Sequence, residues 1–233
     1  DIGPLASKPV MEGKGLLFKI YADIDVFDIE LNTLDVEEFI RTVKALEPTF
    51  GGINLEDIKA PQCFEIERRL KKEFNIPIMH DDQHGTAIIS SAALLNAVEL
   101  QGKELSTIKI VVSGAGASAM ACCDLYIRLG AKVENFVMFD SKGAITKSRK
   151  DLDAMKQRFA TSRKIDSLTD AMKGADVFIG LSKGGIVDAK MLKGMAKNPI
   201  VFVFSNPDPE IDYETAVAAR PDVIMATGRS DYP

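Results

Sequence analysis

Short apolar runs alternate with amphipathic stretches along this chain, and the periodicity changes character near residue 100. From Thr107 onward the apolar runs are nearly unbroken, at 108–112, 135–139, 175–179, 200–204 and 223–225. Runs of that length separated by helical stretches predict parallel strands buried on both faces. Residues 117–129 predict a helix closed by Gly130, since glycine tolerates the conformation that ends helices. Before residue 100 the pattern is mixed. Residues 1–15, rich in Gly and Pro, predict a loop leading into a helix; 16–21 is an apolar run, and 23–31 alternates like a strand. Residues 34–46 carry Val36, Phe39, Ile40, Val43 and Leu46 on one helical face, with Asp35 placed as the N-cap. Strand-like segments at 49–55 and 76–79 flank a charged helix at 62–74. Gly85-Thr86 opens a further helix, 87–100, which Gln101-Gly102-Lys103 ends. The expected fold is α/β: a smaller α/β substrate- and metal-binding domain over 1–90, then a doubly wound parallel-sheet, Rossmann-type dinucleotide domain over 91–233.

The segment between the first unbroken strand and its helix reads Ser113-Gly-Ala-Gly-Ala-Ser-Ala119, a G-x-G-x-x-A pattern. Gly114 suits the tight turn, Gly116 lets backbone approach a pyrophosphate, and Ala119 permits close helix–strand packing. Ala117 and Ser118 lie in the helix N-terminus, whose free N–H groups favour phosphate. Asp140 ends the next strand, where an acid accepts hydrogen bonds from the adenosine ribose and favours NAD. Ser141 and Lys142 follow it directly, with Lys147, Arg149 and Lys150 nearby, and these suit the 2′-phosphate of NADP. The choice between NAD and NADP stays open.

Two acidic pairs, Glu56-Asp57 and Asp81-Asp82, follow the two strand-like segments of the first domain. Acids at the carboxyl ends of strands face the crevice where α/β proteins bind ligands. Carboxylates gathered in one crevice repel unless a cation sits among them, and an all-oxygen set suits Mg²⁺ or Mn²⁺. His80 and His84 flank the second pair, but without cysteine ligands a zinc site is disfavoured. Lys14, in Glu12-Gly-Lys-Gly15, is a candidate base if positive charge nearby loosens its proton.

Composition narrows the partners. The chain has 233 residues, 46% of them hydrophobic, and a net charge of −5. That balance, with no basic block, argues against nucleic acid. The apolar runs are too short to span a bilayer. Three cysteines, Cys63 and Cys122-Cys123, form no disulfide framework, which fits a reducing, cytoplasmic setting. The chain begins without an initiator Met and is read as a piece of a longer protein.

Taken together, Asp1-Ile-Gly-Pro-Leu-Ala-Ser-Lys-Pro-Val-Met-Glu-Gly-Lys14, Gly51-Gly-Ile-Asn-Leu-Glu-Asp57, His80-Asp-Asp-Gln-His-Gly-Thr-Ala87, the 113–119 loop, Phe204-Ser-Asn-Pro-Asp-Pro209 and Ala226-Thr-Gly-Arg-Ser-Asp-Tyr-Pro233 resemble the malic enzymes of the shorter bacterial type. The resemblance implies that Glu56, Asp57 and Asp82 hold the divalent metal, that Asp81 orients Lys14 as the general base, and that Asn206 contacts malate or the nicotinamide end. It implies oxidative decarboxylation of L-malate to pyruvate and CO₂ with reduction of NAD or NADP, by a homodimer or larger assembly. The family's general acid is a tyrosine expected upstream of Asp1, and Tyr21, Tyr126, Tyr213 and Tyr232 do not match its motif. A second substrate-binding asparagine is expected just after Pro233. Two rivals remain: a metal-free NAD(P) dehydrogenase of an amino acid or folate, and a non-catalytic dinucleotide-sensing module. The first does not require the two acidic pairs to converge, and the retained Lys14 and acidic set argue against the second.

Overall fold

A computed structural model of the chain describes residues 3–229; the motif residues 1–2 and 230–233 lie outside them. Contacts divide the chain into two compact units, Asp1–Gly85 and Thr86–Pro233. The division falls earlier in the sequence than the boundary expected at 90/91.

The first unit opens on α1 (Pro4–Ala22), with proline in its first turn, where the missing N–H costs no hydrogen bond. A loop was expected over most of this stretch. Glycine and proline lower helix propensity by about 1 and 3 kcal/mol respectively, so Pro9, Gly13 and Gly15 hide the helix from a propensity argument. Packing decides instead: Pro4, Ser7, Met11, Lys14 and Phe18 are half-buried and recur at helical spacing, which turns Lys14 inward. Residues 23–35 take no regular structure, although 23–31 alternate like a strand. Pairing makes a strand, and the sheet of this unit contains β1 (Ile53–Leu55) and β2 (Ile78–His80) alone. Ion pairs of Lys8 with Asp28 and of Lys19 with Asp25 tie the segment to α1 instead.

Helix α2 (Val36–Leu46) begins as its sequence demands. The Asp35 carboxylate accepts the Glu38 N–H at 2.7 Å and satisfies a free donor of the first turn. With α3 (Gln62–Glu73) it packs on the parallel pair β1–β2, in register Ile53↔Ile78 to Leu55↔His80. Ile40, Val43, Leu55, Ile66, Leu70, Phe74 and Ile78 form the core.

Helix α4 (Asp81–Leu100) starts directly after β2, ahead of the start expected near Gly85. The acidic pair therefore lies in its first turn rather than in a loop, where the helix dipole favours negative charge.

The second unit is a six-stranded sheet in the order β5-β4-β3-β6-β7-β8. In chain order its elements are β3 (Ile110–Ser113), α5 (Ala117–Leu129), β4 (Phe136–Asp140), β5 (Gly143–Ala144), α6 (Ala154–Gln157), α7 (Leu168–Met172), β6 (Val177–Gly180), α8 (Ala189–Lys193), β7 (Ile200–Val203), α9 (Tyr213–Ala219) and β8 (Ile224–Thr227). All strand pairs are parallel except β4–β5. Successive strand residues face opposite sides: Val112, Met138, Ile179 and Phe202 join Tyr126 and Leu94 in one core, whereas Val111, Val137, Phe178 and Val201 join Met172 and Leu192 in the other. Cys122 and Cys123 are buried free thiols within α5, as small hydrophobes would be. Gly130 closes α5 at φ 124°.

This sheet is doubly wound as expected. Its parallel strands run second, first, third, fourth, fifth, so the chain reverses direction between β3 and β6, and ligands bind outside the carboxyl ends at such a switch point. Glu210, wholly buried, spans the ends of β6 and β7: its Oε1 accepts the Ser182 N–H at 3.2 Å and Oε2 the Ser205 N–H at 3.3 Å. Burial pushes its carboxyl above the usual range, with those N–H groups partly offsetting. A Cβ at Gly180 would stand 2.2 Å from the Glu210 carboxyl carbon. Gly180→Ala is therefore expected to destabilise the protein by about 1–3 kcal/mol through overpacking. A urea midpoint equal to that of the parent would show that Glu210 has room to move.

Candidate active site

In the first unit, the inward face of α1 brings Lys14 to the acidic residues. Its Nζ lies 2.5 Å from Asp81 Oδ2 and 3.3 Å from Glu56 Oε2. Burial works to lower the Lys14 pKa, but the hydrogen bond it donates to Asp81 and the Glu56 charge outweigh this and hold the ammonium above its usual value. Burial pushes the Glu56 carboxyl up, and the Asp82 and Asp81 charges add to it; the Asn54 amide and Lys14 only partly offset this. Asp57 sits at φ 55°, the left-handed region, and this turn points its N–H at Asp82 Oδ2, 3.0 Å away. The ends of β1 and β2 are thus joined through their acidic pairs. A cavity of about 1120 Å³ opens beside them, with Met11, Lys14, Phe18, Phe50, Glu56 and Asp57 among its walls.

The support behind the second pair was not legible in the sequence. Glu67, buried on α3, accepts the His80 N–H at 3.1 Å and pairs with His84 Nε2 at 2.9 Å. The Gln83 amide contacts His80 Nδ1 at 3.0 Å. With that nitrogen accepting, the proton sits on Nε2, 3.4 Å from Asp82 Oδ2. The His80 backbone and the His84 ring are thus both tied to Glu67 at the start of α4, while His80 Nε2 makes no hydrogen bond to the described residues. Glu67 shares the buried face of α3 with Cys63 and Leu70, one turn away on either side, but its partners His80 and His84 come from a later segment that the spacing does not reveal.

Glu56, Asp57 and Asp82 offer carboxylate oxygens, the donor chemistry a hard divalent ion takes. The donor set fits Mg²⁺ or Mn²⁺. As the side chains stand, no three acidic, histidine or cysteine residues among those described close into a metal-binding group.

Gly85 guards the Lys14 contact. A Cβ there would lie 2.2 Å from Asp81 Oδ1, so Gly85→Ala must swing Asp81 aside. The expected result is about a tenfold or greater loss of turnover, since misplacing a reacting group by 1 Å can cost that much, with thermal stability nearly unchanged. Unaltered kinetics would show that Asp81 does not set the position of Lys14.

In the second unit, the loop after β3 lies at the switch point. Gly114 has φ 121°, is buried, and donates its N–H to Phe139 O at 2.9 Å; a Cβ on it would come within 2.4 Å of Leu181 O. Ser113 and Ser182 hydroxyls meet at 2.9 Å across the same crevice. Gly116 caps α5 with extended backbone, and a Cβ there would meet nothing within 4 Å. Its bareness serves no internal packing and leaves room for a ligand at the helix N-terminus. Ala117 and Ser118 form the half-buried first turn, and Ala119 is buried against the sheet. Asn206 is exposed just past β7, beside the Ser205 that Glu210 holds.

Asp140 ends β4 as expected, but its carboxylate is occupied. Arg149 grips both oxygens, at 2.7 and 2.9 Å, with the Lys142 N–H on Oδ1 at 2.9 Å and Lys156 Nζ on Oδ2 at 3.2 Å. The Arg149 hydrogen bonds hold the Asp140 pKa down to about 2 despite burial. Ser141 and Lys142 are exposed beside it. Arg149 was noted in the sequence only as a nearby cation; its lock on Asp140 depends on a loop closure that the sequence does not show. No described helix is long and apolar enough to cross a membrane.

Comparison with known proteins finds matches to both parts of the chain. The profile of the malic enzyme NAD binding domain matches residues 83–230, and that of the malic enzyme N-terminal domain matches 33–71. An NADP-dependent malic enzyme of Halomonas elongata is 54% identical over all of this chain and 55% of its own length. An NAD-dependent malic enzyme of Rhizobium meliloti is also 54% identical, over all of this chain and 30% of its own length. The crystal structure of NAD-dependent malic enzyme from Thermotoga maritima superposes with a TM-score of 0.92 at 45% identity, covering all of this chain and 62% of that one. The chain thus spans about half, or less, of the length of these two sequence relatives. Matched by both family models and by relatives 54% identical along its whole length, this chain belongs to the malic enzyme family.

Proposed function

We propose that this chain carries the core of an enzyme that oxidatively decarboxylates L-malate to pyruvate and CO₂ with reduction of NAD(P). The contact of Lys14 with Asp81 and Glu56, next to the Asp57–Asp82 link, carries the reading. A metal-free dehydrogenase or a dinucleotide sensor has no use for a lysine clamped between two acids. When bound, the oxidised nicotinamide supplies a hydride acceptor, and a divalent ion held by Glu56, Asp57 and Asp82 supplies positive charge against the developing enolate.

The chain's own groups do the rest. Lys14 Nζ takes the proton of the malate C2 hydroxyl, and Asp81 fixes its direction. In the resting protein Asp81 and Glu56 keep that ammonium protonated, so positive charge brought in beside Lys14 has to offset their pull before it accepts a proton. Gly114, Gly116 and the first turn of α5 seat the pyrophosphate, and Asn206 contacts malate or the nicotinamide end. Protonation of C3 is assigned to no residue of this chain. The setting proposed is cytoplasmic, as a homodimer or larger assembly with small-molecule partners and neither nucleic acid nor membrane.

The test is malate-dependent reduction of NAD(P) with Mg²⁺ or Mn²⁺ present, following both products. Pyruvate formed in step with NAD(P)H supports the reading. Accumulation of oxaloacetate would remove the decarboxylation, and no reduction with malate would return the metal-free dehydrogenase to first place.

A further inference from the structure

We propose that Glu67 is a positioning residue for the reaction: from inside α3 it holds the segment 80–84 at both ends, and so sets where Asp81 meets Lys14. The inference rests on the malate reading of the Lys14 site and extends it to a residue behind the acidic pair.

Glu67 sits on a face where α3 otherwise buries Cys63, Ile66 and Leu70. A carboxylate there adds negative charge behind Asp81 and Asp82, and an apolar residue of similar volume is often as stable as a buried ion pair. Filling space therefore does not account for it. Its contacts do. Oε1 accepts the N–H of His80, the last residue of β2, at 3.1 Å. The His84 ring, one turn into α4, places Nε2 2.9 Å from Oε2. Lys71 Nζ, on the same helix as Glu67, offsets its charge at 2.7 Å from Oε1. Glu67 thus joins α3 both to the end of the strand and to the first turn of the helix, with Asp81 and Asp82 between the two joints.

The His80 N–H sets where α4 begins, and the His84 ring sets the rotation of α4 about its own axis. Helical side chains end about 5–6 Å from the axis, so a rotation of about 10° moves the Asp81 carboxylate by about 1 Å. Lys14 Nζ lies 2.5 Å from Asp81 Oδ2, a contact with no slack for that displacement. The wholly buried His80 ring carries the same brace toward Asp82, with the Gln83 amide 3.0 Å from Nδ1 and Asp82 Oδ2 3.4 Å from Nε2.

Steady-state malate oxidation and amide deuterium exchange, both on the full-length protein, test the brace. Glu67→Leu is expected to lower kcat about tenfold or more, as a misplacement near 1 Å can, with KM for NAD(P) unchanged and faster exchange at amides 80–85. Glu67→Gln should recover kcat to within a few-fold, because its amide oxygen can accept the His80 N–H and its amide N–H can meet the His84 ring. Lys71→Ala touches only the exposed side of Glu67 and should leave kcat and exchange near the parent values. His84→Ala, at a half-buried position, removes one joint and should show the same pattern as Glu67→Leu, so it serves where that variant does not fold. Parental kcat in Glu67→Leu and His84→Ala, or a loss that Glu67→Gln shares in full, overturns the positioning role alone. A parent protein without malate turnover overturns it together with the malate reading.

Discussion

Lys14→Ala is expected to lower malate turnover about 10²- to 10⁴-fold, the range supplied by a positioned base, while leaving binding of adenosine nucleotides unchanged. The ammonium lies within 2.5 Å of Asp81 and 3.3 Å of Glu56, so its loss also leaves two neighbouring carboxylates without their cation. A structural role and a proton-transfer role are separated by Lys14→Arg. A guanidinium keeps the positive charge but cannot give up its proton, so a structural cation would be rescued and a base would not. Turnover of Lys14→Ala within a few-fold of the parent, or restoration by arginine, would dismiss Lys14 as the base.

The second large effect is expected at Gly114. Any side chain there meets the Leu181 carbonyl at 2.4 Å and has to adopt φ 121°. Backbone placed in such a region costs about 1–3 kcal/mol, and the carbonyl belongs to the loop after β6, which cannot rotate away as a side chain can. Gly114→Val should both lower the melting temperature and abolish nucleotide binding, because β3 and β6 would be pried apart at the switch point. Gly116→Ala makes the contrast: its Cβ meets nothing in the protein, so stability should persist while affinity for 2′,5′-ADP and NAD(P) falls. If Gly116→Ala binds nucleotide normally, the phosphate does not lie against this turn.

The second unit was readable because its signals are local. Nearly unbroken apolar runs mark strands that are covered on both faces, and the glycine loop sits where strand gives way to helix, so β3, α5, β4, β6, β7 and β8 emerge within a few residues of their expected bounds. Asp35 announced its cap in the same way. The first unit resisted because its decisive facts are not local. Proline and glycine concealed α1, whose direction is set by what Pro4, Ser7, Met11 and Phe18 pack against. Alternation at 23–31 promised a strand that pairing did not make. Lys14, Glu56, Asp57, Asp81 and Asp82 were identifiable as residue types, but their meeting depends on α1 turning inward and on Asp57 adopting positive φ. Glu67, Glu210 and the Arg149 lock belong to the same class: each is a charged side chain whose burial or partner comes from a distant segment.

The Gly180–Glu210 contact has a consequence for how this sequence can change. The carboxylate of position 210 occupies the space where a methyl group at position 180 would go, and the same carboxylate fastens Ser182 and Ser205. Neither position can drift alone. Glu210→Asp would withdraw from both N–H groups, and a larger residue at 180 would collide unless 210 shortened first. Sequence exploration near the β6 and β7 ends should therefore pass through paired substitutions. In a library randomised at both positions, survivors lacking glycine at 180 should carry a smaller residue at 210 and a substitute partner for the serine amides.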